Sequence, residues 1–222
     1  MGVAERRKRE KAERRKMILD CARELILTQG VEHVSMEDIA RRAELSKATV
    51  YLYFSGKEVL FNEICEEAAR GFLEHIMPFM ETGLSGIRAL KYFWRGYMDL
   101  FGSSDEMIII SKVRNFLYPG LPFVSLEGQS ESPNVDAILS TMQNLIDQCK
   151  EEGVFEPSLD SAMATRLLLS MFSASVDTAA RVPAKLKKSP ILIDEIINAF
   201  QIVIYGFAKE GIDRSRLDLT SI

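Results

Sequence analysis

Residues 35–60 read Ser-Met-Glu-Asp-Ile-Ala-Arg-Arg-Ala-Glu-Leu-Ser-Lys-Ala-Thr-Val-Tyr-Leu-Tyr-Phe-Ser-Gly-Lys-Glu-Val-Leu, from Ser35 to Leu60. Ser35 stands before Met36, Ile39, Ala40 and Ala43, apolar residues at helical spacing, and Asp38 sits three residues on. That is the signature of a capped helix start. The helix is short and ends near Arg42. Ser46 then caps a second helix from Lys47 to about Phe54. Only Ala43, Glu44 and Leu45 lie between the two. Ser55-Gly56-Lys57-Glu58 reads as a further capping box, opening a helix that runs to about Ile76, where Pro78 stops it.

Upstream, Met17, Ile18, Cys21, Ala22, Leu25 and Ile26 form one apolar helix face, and Gly30 reads as its terminating glycine. Two short helices joined by a turn of three to four residues make a helix-turn-helix. In that geometry the second helix enters the major groove of DNA with its N-terminal residues at base edges. Lys47, Ala48 and Thr49 supply that start. Val50 and Phe54 face inward against Ile39 and Leu45, and Tyr51, Tyr53 and Lys57 supply hydroxyls and a charge at the edge.

The whole stretch from Ser35 to Leu60 resembles the DNA-binding domain of the TetR (tetracycline-repressor) family, over about residues 15–62. The shared pattern is a Ser/Thr-capped helix with Ile-Ala, a turn, and S-x-x-T-[LV]-Y-x-Y-F-x-x-K-E-x-L. The resemblance implies that Ser35, Ser46, Thr49, Tyr51, Leu52, Tyr53 and Lys57 meet DNA, mostly at phosphates, with the backbone N–H of Lys57 as a further anchor. It also implies that Lys47 reads guanine and that Ala48 touches a thymine methyl. Where the family commonly has Gly in the turn, this chain has Glu44. Either the turn avoids positive φ, or Glu44 bears a cost of about 1 kcal/mol.

Charge supports a DNA partner. The 222-residue chain carries a net charge of −4. Residues 1–57 hold thirteen Lys/Arg against nine Asp/Glu, and the remainder fifteen against twenty-three. A basic head on an acidic body directs only the head toward a polyanion. Residues 1–15 read as a basic arm, with Arg14, Arg15 and Lys16 the bases nearest the folded part.

Beyond Pro78 the pattern stays helical: about 84–101, 105–117, 135–152, 158–181 and 190–209, with a polar tail after Gly211 that is expected to fray. No alternating strand pattern and no repeat appears. The reading is all-α: a helix-turn-helix domain over 16–60 and a larger helical domain over 61–222. With 47% apolar residues, the chain can bury a core without disulfides or metal. Three scattered cysteines and no signal peptide point to a reducing cytoplasm, and the apolar run Ile196–Ala208 is too short for a membrane span.

In the larger domain, the last two helices are apolar on more than one face. Leu168, Met171, Ser175, Ile193, Ile196, Ile197, Phe200 and Ile204 are expected at a homodimer interface, as the twofold symmetry of a palindromic operator demands. Single-domain burial is the alternative. The middle of the chain is rich in rings and thioethers. Trp94, Tyr97, Met98, Phe101, Met107, Phe116, Tyr118, Met142 and Phe172 are expected to line a pocket for an apolar effector, with a filled core as the alternative.

Catalysis finds no support. His33 and His75 lack partners at metal-ligand spacing, and no G-x-S-x-G, P-loop or G-x-G-x-x-G occurs. No cofactor is expected. The functional expectation is a DNA-binding transcription regulator, a repressor released by a small apolar ligand; the rival is a DNA- or partner-binding module without ligand sensing.

Overall fold

The computed structural model describes residues 2–80, 83–103, 105–117, 133–181 and 190–220. Among these residues the chain is helical, and the only β pairing is an isolated bridge between Phe155 and Ala208. The helices are α1 (Val3–Gln29), α2 (Met36–Arg42), α3 (Lys47–Tyr53), α4 (Lys57–Ile76), α5 (Gly86–Ser103), α6 (Glu106–Leu117), α7 (Pro133–Glu151), α8 (Ser161–Arg181) and α9 (Pro190–Phe207). No described helix is long and apolar enough to cross a membrane.

Two compact units emerge. The first runs through Glu67 and recruits the second half of α6, from Lys112. The second takes α4 from Ala68, α5, the start of α6 through Ser111, and α7–α9. The sequence, read by continuity, assigns all of α6 to the larger domain. Packing divides it, because Phe116 meets Phe61 edge-on at 5.7 Å within the first unit.

In the first unit, Ile18, Leu19, Ala22 and Ile26 of α1, Ile39 of α2, Val50 of α3 and Leu60, Phe61 and Ile64 of α4 are fully buried. Three ion pairs tie the helices together: Arg15 to Glu63, Arg23 to Glu67 and Arg42 to Glu24. The basic arm is not irregular chain. It is the beginning of α1, continuous from Val3.

In the second unit, close approaches fix the packing. A Cβ on Gly86 would lie 2.8 Å from the Cys149 backbone nitrogen, and one on Gly96 would lie 2.4 Å from Ile76 Cγ2. The N-terminus of α5 is closed from α7's end, where both Glu152 carboxylate oxygens accept the Gly86 N–H at 2.9 Å. Burial drives the Cys149 thiol up to about 12, so it packs as an inert apolar group.

The tail departs from expectation. Instead of fraying, Arg214–Leu217 forms a 3₁₀ turn, and Leu217 and Leu219 are buried. The Gln201 side chain clamps it, donating to Leu217 O at 3.0 Å and accepting from Leu219 N–H at 2.8 Å. Two leucines in a polar stretch give too weak a periodicity to announce this docking.

Candidate nucleic-acid interface

The turn between α2 and α3 resolves the question of Glu44. Its φ is +54°, so the side chain sits in the left-handed region. Leu45 N–H donates to Ala40 O at 2.9 Å and Glu44 N–H to Arg41 O at 3.2 Å. This is a Schellman termination, which needs a left-handed residue where Glu44 stands. The strain is borne, and the hydrogen bonds that end α2 hold it in place.

At α2 and α3 capping proceeds as the sequence predicts. Asp38 N–H donates to Ser35 Oγ at 3.1 Å, and Ser35 N–H returns to Asp38 Oδ2 at 3.1 Å. The Ser35 hydroxyl also donates to Asp38, and Arg41 pairs with it. The Ser35 hydroxyl, more than any other group, holds the Asp38 carboxyl below its usual range, with Arg41 adding to the effect. Thr49 N–H donates to Ser46 Oγ at 3.0 Å, and the two hydroxyls lie 2.7 Å apart.

Helix α3 therefore presents a defined outer face. Val50 and Phe54 are buried, whereas Lys47, Ala48, Tyr51 and Leu52 are exposed, Leu52 at 81%. A leucine left this open on a capped helix stabilises no core; its methyls are free to meet another molecule. The Lys47 ammonium lies 3.8 Å from Glu37, both side chains exposed, a pairing weak enough to exchange for another partner. Thr49 and Tyr53 are half-buried.

Two expected DNA ligands are engaged elsewhere. Lys57 donates to Val31 O at 2.9 Å and lies over the Phe116 ring at 4.2 Å and the Phe61 ring at 5.2 Å. Burial lowers its pKa, with the Glu32 carboxylate opposing. In this structure its ammonium packs within the first unit. Arg15 likewise donates to Tyr53 O at 3.0 Å, pairs with Glu63, and stacks over Phe54 at 4.3 Å. It braces the C-terminal end of α3, where a cation complements the helix dipole. Sequence spacing shows charge but not its direction. Arg14 and Lys16 are exposed.

The expected effector residues separate. Phe116 packs in the first unit with Lys57, which removes it from the set. Tyr118 and the side chains of Phe101 and Met107 lie outside the described residues. Trp94, Tyr97, Met142 and Phe172 are buried in the second unit, and Met98 is half-buried against the same core. Ring centroids of Trp94 and Phe200 are 4.1 Å apart, those of Tyr97 and Phe172 4.0 Å, and those of Phe172 and Phe200 4.4 Å. Tyr97 Oη donates to Phe172 O at 3.1 Å, and burial raises the phenol's pKa. The cavity beside this stack is about 10 Å³, room for one water at most. Among the described residues, the rings of Trp94, Phe172 and Phe200 and the Met142 side chain fill the space around that cavity.

The dimer expectation is corrected in part. Leu168, Ile196, Phe200 and Ile204 are buried in their own chain's core, so they cannot form an outer face. Met171, Ile193 and Ile197 are half-buried, and Ser175 turns its hydroxyl onto Met171 O at 2.8 Å. Among the described residues, the large apolar side chains that face outward here are Met163 and Leu167 on α8 and Ile202 on α9, at 43%, 40% and 70% exposure. The helix pattern contains both faces and cannot rank them. Among the described residues no group of three His, Cys, Asp or Glu could hold a metal ion.

Comparison with known proteins agrees with this geometry. Residues 18–64 match the family model described as bacterial regulatory proteins, tetR family. The HTH-type transcriptional regulator AcrR of Shigella flexneri is 39% identical over 92 residues, 40% of this chain and 43% of its own. The fatty acid metabolism regulator protein of Bacillus subtilis is 22% identical over 160 residues, covering 72% of this chain and 78% of its own. The structure of SmeT with triclosan superposes with a TM-score of 0.62 at 16% identity, covering 90% of this chain and 93% of that one; SmeT represses a Stenotrophomonas maltophilia multidrug efflux pump. With the helix-turn-helix, its caps and its outward face in place, residues 18–64 carry the DNA-binding domain shared by bacterial regulatory proteins of the tetR family.

Proposed function

We propose that this chain is a homodimeric repressor that holds a palindromic operator through α3 and leaves it when a small apolar molecule enters the second unit. The observation that carries the DNA half is the outer face of α3: Lys47, Ala48, Tyr51 and Leu52 exposed on a helix capped by Ser46 and braced by Arg15. Lys47 reads guanine, Ala48 and Leu52 meet thymine methyls, and Ser35, Ser46, Thr49, Tyr51, Tyr53, Arg14 and Lys16 fix register on phosphates. Dimerisation through Met163, Leu167 and Ile202 would set two such helices on half-sites about 34–36 Å apart. Site selection from genomic DNA followed by footprinting tests this: a discrete palindrome is expected, and uniform coverage would refute it. Lys47→Ala should shift preference at one position of each half-site by about 1–3 kcal/mol. An unchanged preferred sequence would remove Lys47 from base reading.

The effector half follows from the aromatic stack. A ligand that parts Trp94, Tyr97, Phe172 and Phe200 binds only the opened state and so shifts the population toward it. SmeT, which shares the fold, has been seen with triclosan. The chain has one tryptophan, and it stands in this stack, so its fluorescence reports the event. Titration with triclosan and with long-chain fatty acids should quench or shift Trp94 emission and release the operator at the same concentrations. The closed core also favours a second reading, a DNA-binding module without an effector. Emission and DNA affinity that stay flat across such a panel would establish that rival.

A further inference from the structure

The first twelve residues of α1, Val3–Arg14, precede Arg15, the first side chain of the helix that packs on the domain. They reach about 18 Å beyond it at 1.5 Å per residue. A solvated helix of this kind ordinarily mixes its charges around the axis. Here they are sorted. At about 100° per residue, Arg7, Lys8, Lys11 and Arg14 fall within an arc of about 120°, with Arg15 inside the same arc. Glu5, Glu10 and Glu13 all lie outside it. On the other side of the helix, Arg6 pairs with Glu10 at 3.2 Å and Arg9 with Glu13 at 3.4 Å. Arg7, Lys8, Lys11 and Arg14 are exposed and make no ion pair among the described residues.

Arg15 orients this stripe. Its guanidinium reaches the carbonyl of Tyr53, the last residue of α3. The arc that contains Arg15 therefore faces the side of α1 on which α3 ends, and the four open cations run outward from the end of the reading helix. Duplex DNA advances about 3.4 Å per base pair, so the extension spans about five further base pairs.

We propose that this acid-free face lies along the phosphates of the duplex next to each half-site, as a second contact that reads no bases. The inference rests on the DNA-binding reading above and extends it to Arg7, Lys8 and Lys11. Its occupant is double-stranded DNA because an unpaired row of cations continuous with the reading helix complements a continuous row of phosphates. The contact supplies affinity and salt dependence, not specificity.

The test uses the full chain and a 40-base-pair duplex centred on a site selected with the unaltered protein. Two variants are compared: Arg7→Ala/Lys8→Ala/Lys11→Ala on the open face, and Arg6→Ala/Arg9→Ala on the paired face. Circular dichroism checks that α1 stays helical in both. The slope of log K against log salt should fall by about 2.7 per protomer for the open-face variant, at about 0.9 per phosphate, while the preferred sequence stays unchanged. Affinity near 0.15 M salt should drop at least tenfold. Hydroxyl-radical protection should disappear from the flanks and remain over the half-sites, and the paired-face variant should behave as the unaltered protein. Trimming the flanks should cost the unaltered protein affinity and the open-face variant none. Equal slopes for all three proteins, or equal losses for both variants, would overturn the proposal while leaving half-site reading intact. Loss of binding to vesicles of anionic phospholipid, with DNA binding unaffected, would overturn it in favour of a membrane surface. If the unaltered protein binds no duplex at all, the DNA reading itself has failed.

Discussion

The two compact units use aromatic residues in opposite ways. In the first, Tyr51 is 45% exposed and its ring serves the surface, while Phe54 and Phe61 hold cations in place. In the second, Trp94, Tyr97, Phe172 and Phe200 turn wholly on one another. The first unit keeps the exposed side chains of α3 outside a core that is already closed. The second packs its described rings against one another. A DNA reader must be rigid before contact, whereas an effector site can be a minor conformation of a filled interior.

The largest effect should come from testing that contrast directly. Trp94→Ala should cost about 3–5 kcal/mol of unfolding free energy, read by urea denaturation, because the ring is surrounded on all sides. A loss below about 1 kcal/mol would mean that the stack is already loose, and the contrast between the units would collapse.

Next in size is Lys57. Alanine there leaves Val31 O without its donor and removes a cation from two rings. We expect a loss of about 1–3 kcal/mol with the salt slope of DNA binding unchanged. A slope reduced by about one at unchanged stability would return the ammonium to the phosphates.

Smaller, and of opposite sign, Glu44→Gly should stabilise the chain by up to about 1 kcal/mol, since it relieves a left-handed side chain within an intact Schellman turn. A destabilised variant would show that the Glu44 side chain has an unrecognised partner.

An effect of similar size concerns acid. The Asp38 carboxyl is lowered first by the Ser35 hydroxyl, so its folded pKa lies below its unfolded one. Its contribution is complete above the ordinary value of about 3.9 and fades as pH falls through the lowered value. Ser35→Ala should cost about 1 kcal/mol at neutral pH and flatten the acid limb of the stability profile. An acid limb identical to that of the unaltered chain would detach the cap from it.

The features read correctly from sequence are those made by residues close in the chain. Ser35 with Asp38, Ser46 with Thr49 and the inward Val50 and Phe54 are all local. The features that the sequence did not show needed distant partners. Lys57 meets Val31 and Phe116, Arg15 meets Tyr53 and Glu63, and the tail leucines meet Gln201. The α8 and α9 stripes were visible, but on a helix apolar all round the pattern does not say which stripe faces the core.

By itself, the sequence determined most of the helices, the caps of α2 and α3, the helix-turn-helix and its resemblance to the tetR family, because hydrogen bonding and periodicity act over three or four residues. The tertiary structure alone decided which cations face solvent. It turned Lys57 and Arg15 inward, left Lys47 and Arg14 in solvent, and closed the aromatic core. The direction of a long side chain depends on groups tens of residues away, and only packing brings those groups within hydrogen-bonding reach.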